Sequence, residues 1–353
     1  MIKKSSGNLL RAEAEALVNT VNTEGVMGKG IALQFKKAYP DMYDAYRRAA
    51  KAGEIQLGRV QVWHTEQMTG PKYIINFPTK GHWKSRSRLR DIEEGLTDLI
   101  KIVQELKIES IAVPPLGCGN GGLDWSDVEP RIAKAFAQVP DVEVLLFGPA
   151  GAPAAADMAN ATKRPVMTPG RAALVELVHR YTLQSFMAPG LIEAQKLMYF
   201  LQVSGEHLRL NFVANRYGPY ADNLRHVLNV VEGHFLGGFG DGSAKVAEAE
   251  PLKILPGAAE EAEGVLKDAE ATCERIDKVL DLAAGFESAY GLELLATVHW
   301  IATREPVADD DEVVRKVWDW SPRKARMFTE DHVRIALEAL RDQGWLSRDL
   351  VPA

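Results

Sequence analysis

The sequence predicts an α/β domain, with a mixed sheet and helices on both faces, followed by a mainly α-helical domain. In the first half, short β-branched apolar runs alternate with segments of helical period, the pattern of a mostly parallel sheet covered by helices. A segment rich in Ala, Gly and Pro then interrupts this alternation at residues 148–170. Beyond that segment, the apolar residues recur mainly at helical spacing.

Strands and helices are predicted in turn along the first half. Strands are predicted at residues 16–21, 60–64, 73–77, 110–113 and 142–147, and helices at residues 29–39, 89–106 and 128–136. Pro114 and Pro115 end the fourth of these strands. The order of the elements predicts that most of the strands run parallel.

The second half is predicted to consist of helices. They are predicted at residues 171–181, 191–203, 220–231, 258–282, 287–301, 312–317 and 331–343, with Gly344 as a C-cap. We therefore divide the chain into a first domain at 1–155, a linker at 156–170 and a mainly helical domain at 171–353.

Length and composition indicate a globular protein of about two domains, with 353 residues, 46% of them hydrophobic. No apolar run approaches the ~18 residues of a membrane span, and the N-terminus has no apolar stretch typical of a secretory signal. Cys118 and Cys273 lie too far apart in the sequence to suggest a disulfide framework. We therefore expect a cytoplasmic protein.

Charge is distributed unevenly over the two halves. Residues 1–155 carry 20 Lys and Arg against 18 Asp and Glu, and residues 156–353 carry 22 against 30. A half with a balance of −8 is a poor nucleic-acid binder by itself. It is either a solvated acidic domain or a surface for a basic protein partner.

Three glycine-bearing segments follow predicted strands. They are NTEGVMGKG at 22–30, LGCGNGGL at 116–123 and FGP at 147–149. Glycine lets the backbone approach a ligand closely, and backbone N–H groups at such loops and at a helix N-terminus bind phosphates. Parallel strands would place all three at the carboxyl edge of the sheet, where α/β proteins bind ligands. Because no Lys-Ser/Thr pair follows the first loop, a P-loop nucleotidase is disfavoured.

Four motifs in this half resemble the macrodomain family of ADP-ribose-binding modules. They are GNLL at 7–10, ALVNTVN at 16–22, GVMGKGIALQF at 25–35 and VPPLGCGNGGL at 113–123. Within that family they are most similar to the glycohydrolase branch, which contains the protein-directed terminal ADP-ribose protein glycohydrolase. In that branch they most resemble the DNA ADP-ribosyl glycohydrolase antitoxins of DarT/DarG systems. These antitoxins remove ADP-ribose from thymidine in DNA modified by a DarT toxin. The resemblance covers residues 1–150 and implies ADP-ribose as ligand, with no metal and no cofactor.

The resemblance also implies roles for individual residues. Asn8 and Leu9 would lie near the adenine, at a place where the family often has Asp in position 8. Asn22 would contact the distal ribose, where the bond is cleaved, and Phe147 would flank the adenosine. The two phosphate loops would be formed by Gly28, Lys29, Gly30 and Ile31, and by Gly117, Cys118, Gly119, Asn120 and Gly121.

Lys80 is the residue expected to carry the chemistry, because it occupies the position of the catalytic lysine of the glycohydrolase branch. A desolvated lysine has a lowered pKa and is a nucleophile, whereas a charged one stabilises negative charge on the departing base. Both possibilities remain open. The protein-directed glycohydrolase has a catalytic aspartate where this chain has Gly121, and the nearest carboxylate is Asp124. Lys80 and Asn22 are therefore the expected catalytic residues.

A basic segment, KGHWKSRSRLR, begins at Lys80. Its cations can neutralise phosphates, and an aromatic ring can stack on an unpaired base. The alternative is a solvated loop leading into the next helix. We favour nucleic-acid binding because the segment adjoins Lys80; its expected contacts are His82, Trp83, Lys84, Arg86 and Arg88. Cys118 is more consistent with a small residue in a tight loop than with a nucleophile.

Residues 191–201 and 215–224 resemble the helical, Panacea-like domain of certain antitoxins, although core packing alone would also explain their apolar residues. This resemblance implies that the second domain binds a DarT-like toxin.

We therefore expect an antitoxin that hydrolyses ADP-ribose from thymidine in single-stranded DNA. The alternatives are a glycohydrolase acting on ADP-ribosylated protein glutamate, or on a small ADP-ribose ester, and a non-catalytic reader of ADP-ribose.

Overall fold

A computed structural model describes residues 1–246 and 248–347. The chain separates into two compact units. The first contains Met1–Lys163 together with Asp241–Ala244, and the second contains Arg164–Gly240 and the described residues from Lys245 onward. Within the described ranges, every helix is too short or too polar to cross a bilayer.

A six-stranded sheet forms the centre of the first unit, in the order β1-β6-β5-β2-β4-β3. All neighbouring pairs are parallel except β3 with β4. The strands are β1 (Ile2–Ser5), β2 (Ala16–Asn22), β3 (Gln61–His64), β4 (Tyr73–Lys80), β5 (Ser110–Val113) and β6 (Glu143–Phe147). The sequence did not predict β1, whose alternation is obscured by two lysines on an edge strand.

Helices cover both faces of this sheet, as predicted. They are α1 (Ile31–Ala38), α2 (Pro40–Lys51), α3 (Leu89–Glu105) and α4 (Trp125–Phe136). On one face, buried residues of α3 and α4, such as Leu96 and Ile132, form one core with Ile75 of β4. On the other face, Phe35 and Tyr46 of α1 and α2 belong to a second core. The predicted α/β class with a mixed sheet is confirmed.

The four strands β2, β4, β5 and β6 run in the same direction, so their carboxyl ends lie along one edge of the sheet. The loops at 22–30, 116–123 and 147–149 therefore share that edge, as predicted. β4 is longer than predicted and includes Lys80 itself. The parallel ladder continues past Pro78, with a shift in register between Val21 and Asn22.

The second unit is mainly helical, as predicted. Its elements are α5 (Pro169–Ser185), α6 (Leu191–Val203), β7 (Phe212–Asn215), β8 (Gly218–Ala221), α7 (Leu224–Val231), β9 (Leu236–Gly237), β10 (Lys253–Ile254), α8 (Ala258–Leu266), α9 (Glu270–Ala283), α10 (Ala289–Arg304), α11 (Asp310–Asp319), α12 (Pro322–Met327) and α13 (Glu330–Asp342).

Two predicted helices of this unit are wrong in part. The first four residues of the predicted helix 220–231 instead complete β8 and a turn. Asn215 pairs with Gly218, whose φ of +82° matches a hairpin turn that ends in a left-handed residue. The predicted helix 258–282 is broken at Ala269, which lies outside the helical region. A single helix of that length would extend about 37 Å, whereas α5, against which α8 and α9 both pack, is about 25 Å long.

Candidate active site

Lys80 and Asn22 end neighbouring parallel strands and are paired with each other in the ladder. The Lys80 Nζ atom donates a hydrogen bond of 3.0 Å to the backbone oxygen of Asn120, in the loop after β5. Partial burial lowers the pKa of the Lys80 amine below its ordinary value. The structure thus brings together the two predicted catalytic residues and the second glycine loop.

Asn22 is buried and closes its own loop. Its Oδ1 accepts the backbone N–H groups of Glu24 (2.9 Å) and Val26 (3.3 Å), and its Nδ2 donates to the Val26 oxygen (2.6 Å). The hydroxyl of buried Tyr46 donates to the Asn22 backbone oxygen (2.6 Å). An amide NH2 group carries two hydrogens. Asn22 therefore shapes the loop and keeps a second Nδ2 hydrogen that can serve as a donor.

Thr23 connects the loops that follow β2 and β4. Its backbone N–H (3.0 Å) and its hydroxyl (3.1 Å) both donate to the oxygen of Gly81. Next to this connection, His82 Nε2 lies 3.5 Å from a carboxylate oxygen of Glu24. The connection fixes the loop containing Asn22 against the loop that follows Lys80. Sequence reasoning missed Thr23, because a threonine in a polar loop carries no pattern of its own.

The second loop, residues 116–123, is folded too tightly to hold a side chain at Gly121. A methyl group added there would stand closer than 3.0 Å to the Gly117 oxygen and to Ser87 Oγ. The Gly121 oxygen also accepts the backbone N–H of Ser87 (2.9 Å). The protein-directed glycohydrolase has its aspartate at this position, so this loop cannot present one without being rebuilt.

Cys118 lies in the same loop, and its Sγ donates to the Leu116 oxygen. Burial, with a smaller effect of the Asp124 charge, raises the pKa of the Cys118 thiol to about 11. The thiol is therefore protonated at neutral pH, and a protonated thiol is a poor nucleophile.

The first loop approaches the second one at Gly30. This residue has a φ of +65° and precedes α1, and a methyl group on it would lie 3.5 Å from Asn120 Nδ2. The backbone N–H of Gly30 donates to the oxygen of Asp241, which also belongs to the first unit. In the first turn of α1 the Leu33 N–H donates to the Gly30 oxygen (2.9 Å), which leaves the N–H groups of Ile31 and Ala32 without a partner in the helix. The arrangement suits an anion between the two loops.

A groove of about 540 Å³ lies at the carboxyl ends of β1 and β6. Asn8 and Phe147 line it, and Leu9 is buried beside them. Both polar atoms of the Asn8 side chain have partners: Oδ1 accepts the N–H of Leu10 (3.0 Å), and Nδ2 donates to the backbone oxygen of Asp157 (2.9 Å). The predicted adenosine residues thus converge, joined by Asp157, which the sequence analysis did not single out.

The basic segment is exposed at His82, Trp83 and Lys84. The rings of His82 and Trp83 stack with centroids 5.4 Å apart, and Lys84 Nζ lies 4.7 Å above the Trp83 ring. Arg86 instead donates to the Gly122 oxygen (3.1 Å), and Arg88 forms an ion pair with Asp91 (3.0 Å). The first three residues thus form an aromatic and basic surface, while the two arginines also support the local fold.

Sequence comparisons agree with this geometry. The Macro domain family matches residues 18–132. Over 351 residues the chain is 45% identical to a DNA ADP-ribosyl glycohydrolase of Mycobacterium tuberculosis, covering 96% of this chain and 99% of the relative. The chain belongs to the DNA ADP-ribosyl glycohydrolase family.

Other members of this family are similar over the same extent or over the macrodomain. The DNA ADP-ribosyl glycohydrolase of Thermus aquaticus is 45% identical over 346 residues, which is 98% of this chain and 94% of the relative. A DNA ADP-ribosyl transferase–DNA ADP-ribosyl glycohydrolase fusion protein of Thermosipho africanus is 32% identical over 158 residues, 40% of each chain. Among solved structures, the macrodomain of Mycobacterium tuberculosis DarG is 59% identical, covering 42% of this chain and 99% of that one, with a TM-score of 0.42.

Proposed function

We propose that this protein removes ADP-ribose from thymidine in single-stranded DNA in the cytoplasm. The observation that carries the proposal is the position of the Lys80 amine, 3.0 Å from the Asn120 oxygen and opposite Asn22. It places a lysine of lowered pKa where the two glycine loops meet. The near full-length similarity to DNA ADP-ribosyl glycohydrolases favours the same assignment.

ADP-ribose would lie along the carboxyl edge of the sheet. The adenosine would occupy the groove beside Phe147, and the pyrophosphate would lie between the loops at 28–31 and 117–121. The distal ribose would then reach Asn22 and Lys80. This order follows the order of the strands, since β6 carries the groove and β2 and β4 carry the two catalytic candidates.

The reaction would break the N-glycosidic bond between C1″ of the distal ribose and the thymine nitrogen. Either water attacks C1″ directly, or the Lys80 amine attacks first and water then releases the sugar. In both routes the bonding electrons leave with the base, which is then protonated. Asn22 would hold the ribose through its second Nδ2 hydrogen while its other polar contacts keep the loop closed.

The DNA strand would lie over His82, Trp83 and Lys84. An exposed indole offers a stacking surface for an unpaired base, and the nearby cations attract phosphates. Arg86 and Arg88 would contribute long-range charge from positions already fixed by Gly122 and Asp91.

Two other functions are less well supported. A glycohydrolase of the protein-directed kind would need a carboxylate in the second loop, where the surroundings of Gly121 exclude one. A reader without activity would not need a partly buried lysine at the cleavage end of the site. Released ADP-ribose should be measured side by side from modified single-stranded DNA and from protein modified on glutamate. Release from protein alone, or from neither substrate, would contradict the proposal.

We further propose that the second unit binds a DNA ADP-ribosyl transferase toxin. Its half of the chain carries 30 acidic against 22 basic residues, and a DNA-modifying enzyme presents a basic groove to its substrate. The last turn of α5 and the two residues after the helix expose three large apolar side chains, Leu183 (62%), Phe186 (91%) and Met187 (73%). Exposed apolar clusters of this kind are typical of protein interfaces. The transferase–glycohydrolase fusion in Thermosipho africanus is consistent with such a pairing.

The full chain carrying Lys80→Ala tests this second proposal, because it separates binding from hydrolysis. In excess, it should protect cells from the cognate transferase without repairing DNA that is already modified. Adding Phe186→Ser should weaken capture of the transferase, whereas Ile335→Ser, at an exposed apolar residue of α13, should not. Failure of the Lys80→Ala chain to bind the transferase would contradict the proposal.

A further inference from the structure

In this chain both polar groups of the Asn8 side chain make a hydrogen bond within the protein. Its Oδ1 caps the 3₁₀ turn Leu9–Arg11 by accepting the Leu10 N–H, and its Nδ2 donates to the Asp157 backbone oxygen. A carboxylate, which only accepts hydrogen bonds, is a suitable partner for the amino group of adenine. At position 8, where the resemblance implies that the family often has Asp, this chain has an uncharged amide whose oxygen already accepts one N–H group.

Another carboxylate lies in the same groove. Asp157 ends a 3₁₀ turn, Ala155–Asp157, that follows the last strand of the first unit, and it lines the groove together with Asn8 and Phe147. Two contacts fix its place: the Asn8 amide holds its backbone oxygen at 2.9 Å, and Arg11 Nη1 lies 3.4 Å from its Oδ1. Its second carboxylate oxygen has no part in either contact.

We infer that Asp157 recognises the 6-amino group of adenine and that Asn8 is its positioning residue. The carboxylate that recognises adenine would thus lie 149 residues after position 8 in the sequence. The Asn8 amide would hold it in place through its hydrogen bond to the Asp157 backbone oxygen. Phe147, at the end of β6, would pack against the purine ring. This inference rests on the proposed function, since it requires ADP-ribose as the ligand.

The charge of Asp157 suits this task in spite of its exposure. Its side chain is 56% exposed and its partner Arg11 is 64% exposed, so solvent screens their ion pair strongly. The carboxylate can therefore accept an additional donor without giving up a strong contact. A purine that covers the groove would also remove water from that hydrogen bond and strengthen it.

A binding cycle tests the inference with the full-length chain. Affinities for ADP-ribose and for its analogue with hydrogen in place of the 6-amino group should be measured by calorimetry, for the parent chain and for Asp157→Ala. We expect the parent to bind the analogue about tenfold more weakly. Asp157→Ala should bind ADP-ribose about tenfold more weakly than the parent does, and it should bind the two ligands with equal affinity. The reason is that the 6-amino group and the carboxylate are the two partners of one hydrogen bond.

Three variants sharpen this test. Arg11→Gln should retain the preference for the amine, which separates the carboxylate from its ion pair. Asn8→Ala should reduce the preference by releasing the backbone of Asp157. Asp141→Ala removes an exposed carboxylate just before β6, at the opposite edge of the sheet, and should change neither affinity. An unchanged preference in Asp157→Ala would overturn the inference, whereas failure of the parent chain to bind ADP-ribose would overturn the proposed function instead.

Discussion

The Nζ atom of Lys80 lies 3.0 Å from the backbone oxygen of Asn120, which is 40 residues further along the chain. This contact links the end of β4 to the loop after β5, across β2, which lies between the two strands in the sheet. It holds the amine near Asn22, whose side chain is held by its own loop and whose backbone oxygen accepts a hydrogen bond from Tyr46. The position of the amine therefore depends on three neighbouring strand ends.

Replacing Lys80 should separate catalysis from binding. We expect Lys80→Ala to reduce hydrolysis of ADP-ribosylated thymidine by about 10³-fold, because it removes the only group at the strand ends proposed to attack C1″ or to stabilise the leaving base. Calorimetry should give an ADP-ribose affinity within a few-fold of the parent. Lys80→Arg, which remains charged, should not restore turnover if the amine is the nucleophile. Near-normal turnover by Lys80→Ala would instead direct attention to Asn22 or Asp124.

The pH dependence of turnover should reveal which form of Lys80 acts. Burial lowers its pKa, so the neutral amine becomes available at a lower pH than in a solvated lysine. If the neutral amine attacks, kcat rises with pH and levels off above the lowered pKa. If the cation acts, kcat is constant at neutral pH and falls as pH rises through that pKa. We expect the rising profile, measured as released ADP-ribose at saturating substrate.

Gly121→Ala should damage the second loop. The added methyl group meets the Gly117 oxygen and Ser87 Oγ at less than 3.0 Å, so the loop must move. We expect ADP-ribose affinity to fall by about tenfold or more, since the loop's N–H groups would no longer face the phosphates together. Gly264→Ala, at an exposed position of α8 in the second unit, is the control, because no atom lies within 4 Å of its added methyl group. Equal losses in the two variants would show that the crowding at Gly121 is not the cause.

Trp83→Ala should weaken DNA binding without affecting the free ligand. Loss of one stacked base costs about 1–3 kcal/mol, so unmodified single-stranded DNA should bind about tenfold more weakly, while calorimetry with ADP-ribose should be unchanged. Lys84→Ala should instead reduce the salt dependence of DNA binding, as expected for a phosphate contact. Fluorescence anisotropy at several salt concentrations distinguishes the two effects, and a Trp83→Ala protein with parental DNA affinity would remove the stacking role.

In the second unit, Glu293→Ala should be strongly destabilising. The buried Glu293 carboxylate accepts a hydrogen bond from Lys324 Nζ (2.6 Å), which is also buried, and two from Arg323. Its removal leaves the buried Lys324 cation without its carboxylate partner, which costs about 3–5 kcal/mol. Calorimetric melting of the full chain should show the transition of the second unit at a lower temperature.

Added ADP-ribose identifies the other transition, because a ligand raises the melting temperature of the unit that binds it. Glu338→Ala, at an exposed position of α13, serves as the control and should leave both transitions in place. A Glu293→Ala chain that melts like the parent would mean that the buried charges find other partners.

Local pattern alone determined much of the first unit. Short apolar runs alternate with segments whose apolar residues recur at helical spacing, as in α3. This alternation predicts the sheet and the helices on its two faces, because strand and helix periods depend only on residues close together in the sequence. Parallel order then places the glycine loops at one edge. Lys80 and Asn22 were singled out by the resemblance to a glycohydrolase family, and their pairing in the ladder is consistent with that prediction.

Tertiary structure alone decided what those residues contact. The connection of Thr23 to Gly81, the crowding around Gly121 and the tether from Asn8 to Asp157 each join residues far apart in sequence. They are made by small or polar side chains and by backbone atoms, which leave no periodic trace in a sequence. Likewise, the β7–β8 hairpin replaces the start of a predicted helix, and the predicted helix 258–282 divides into α8 and α9, which both pack against α5. Periodicity indicates which face of a segment is buried. It does not indicate which distant segment that face contacts, because that contact forms only when the chain folds into its tertiary structure.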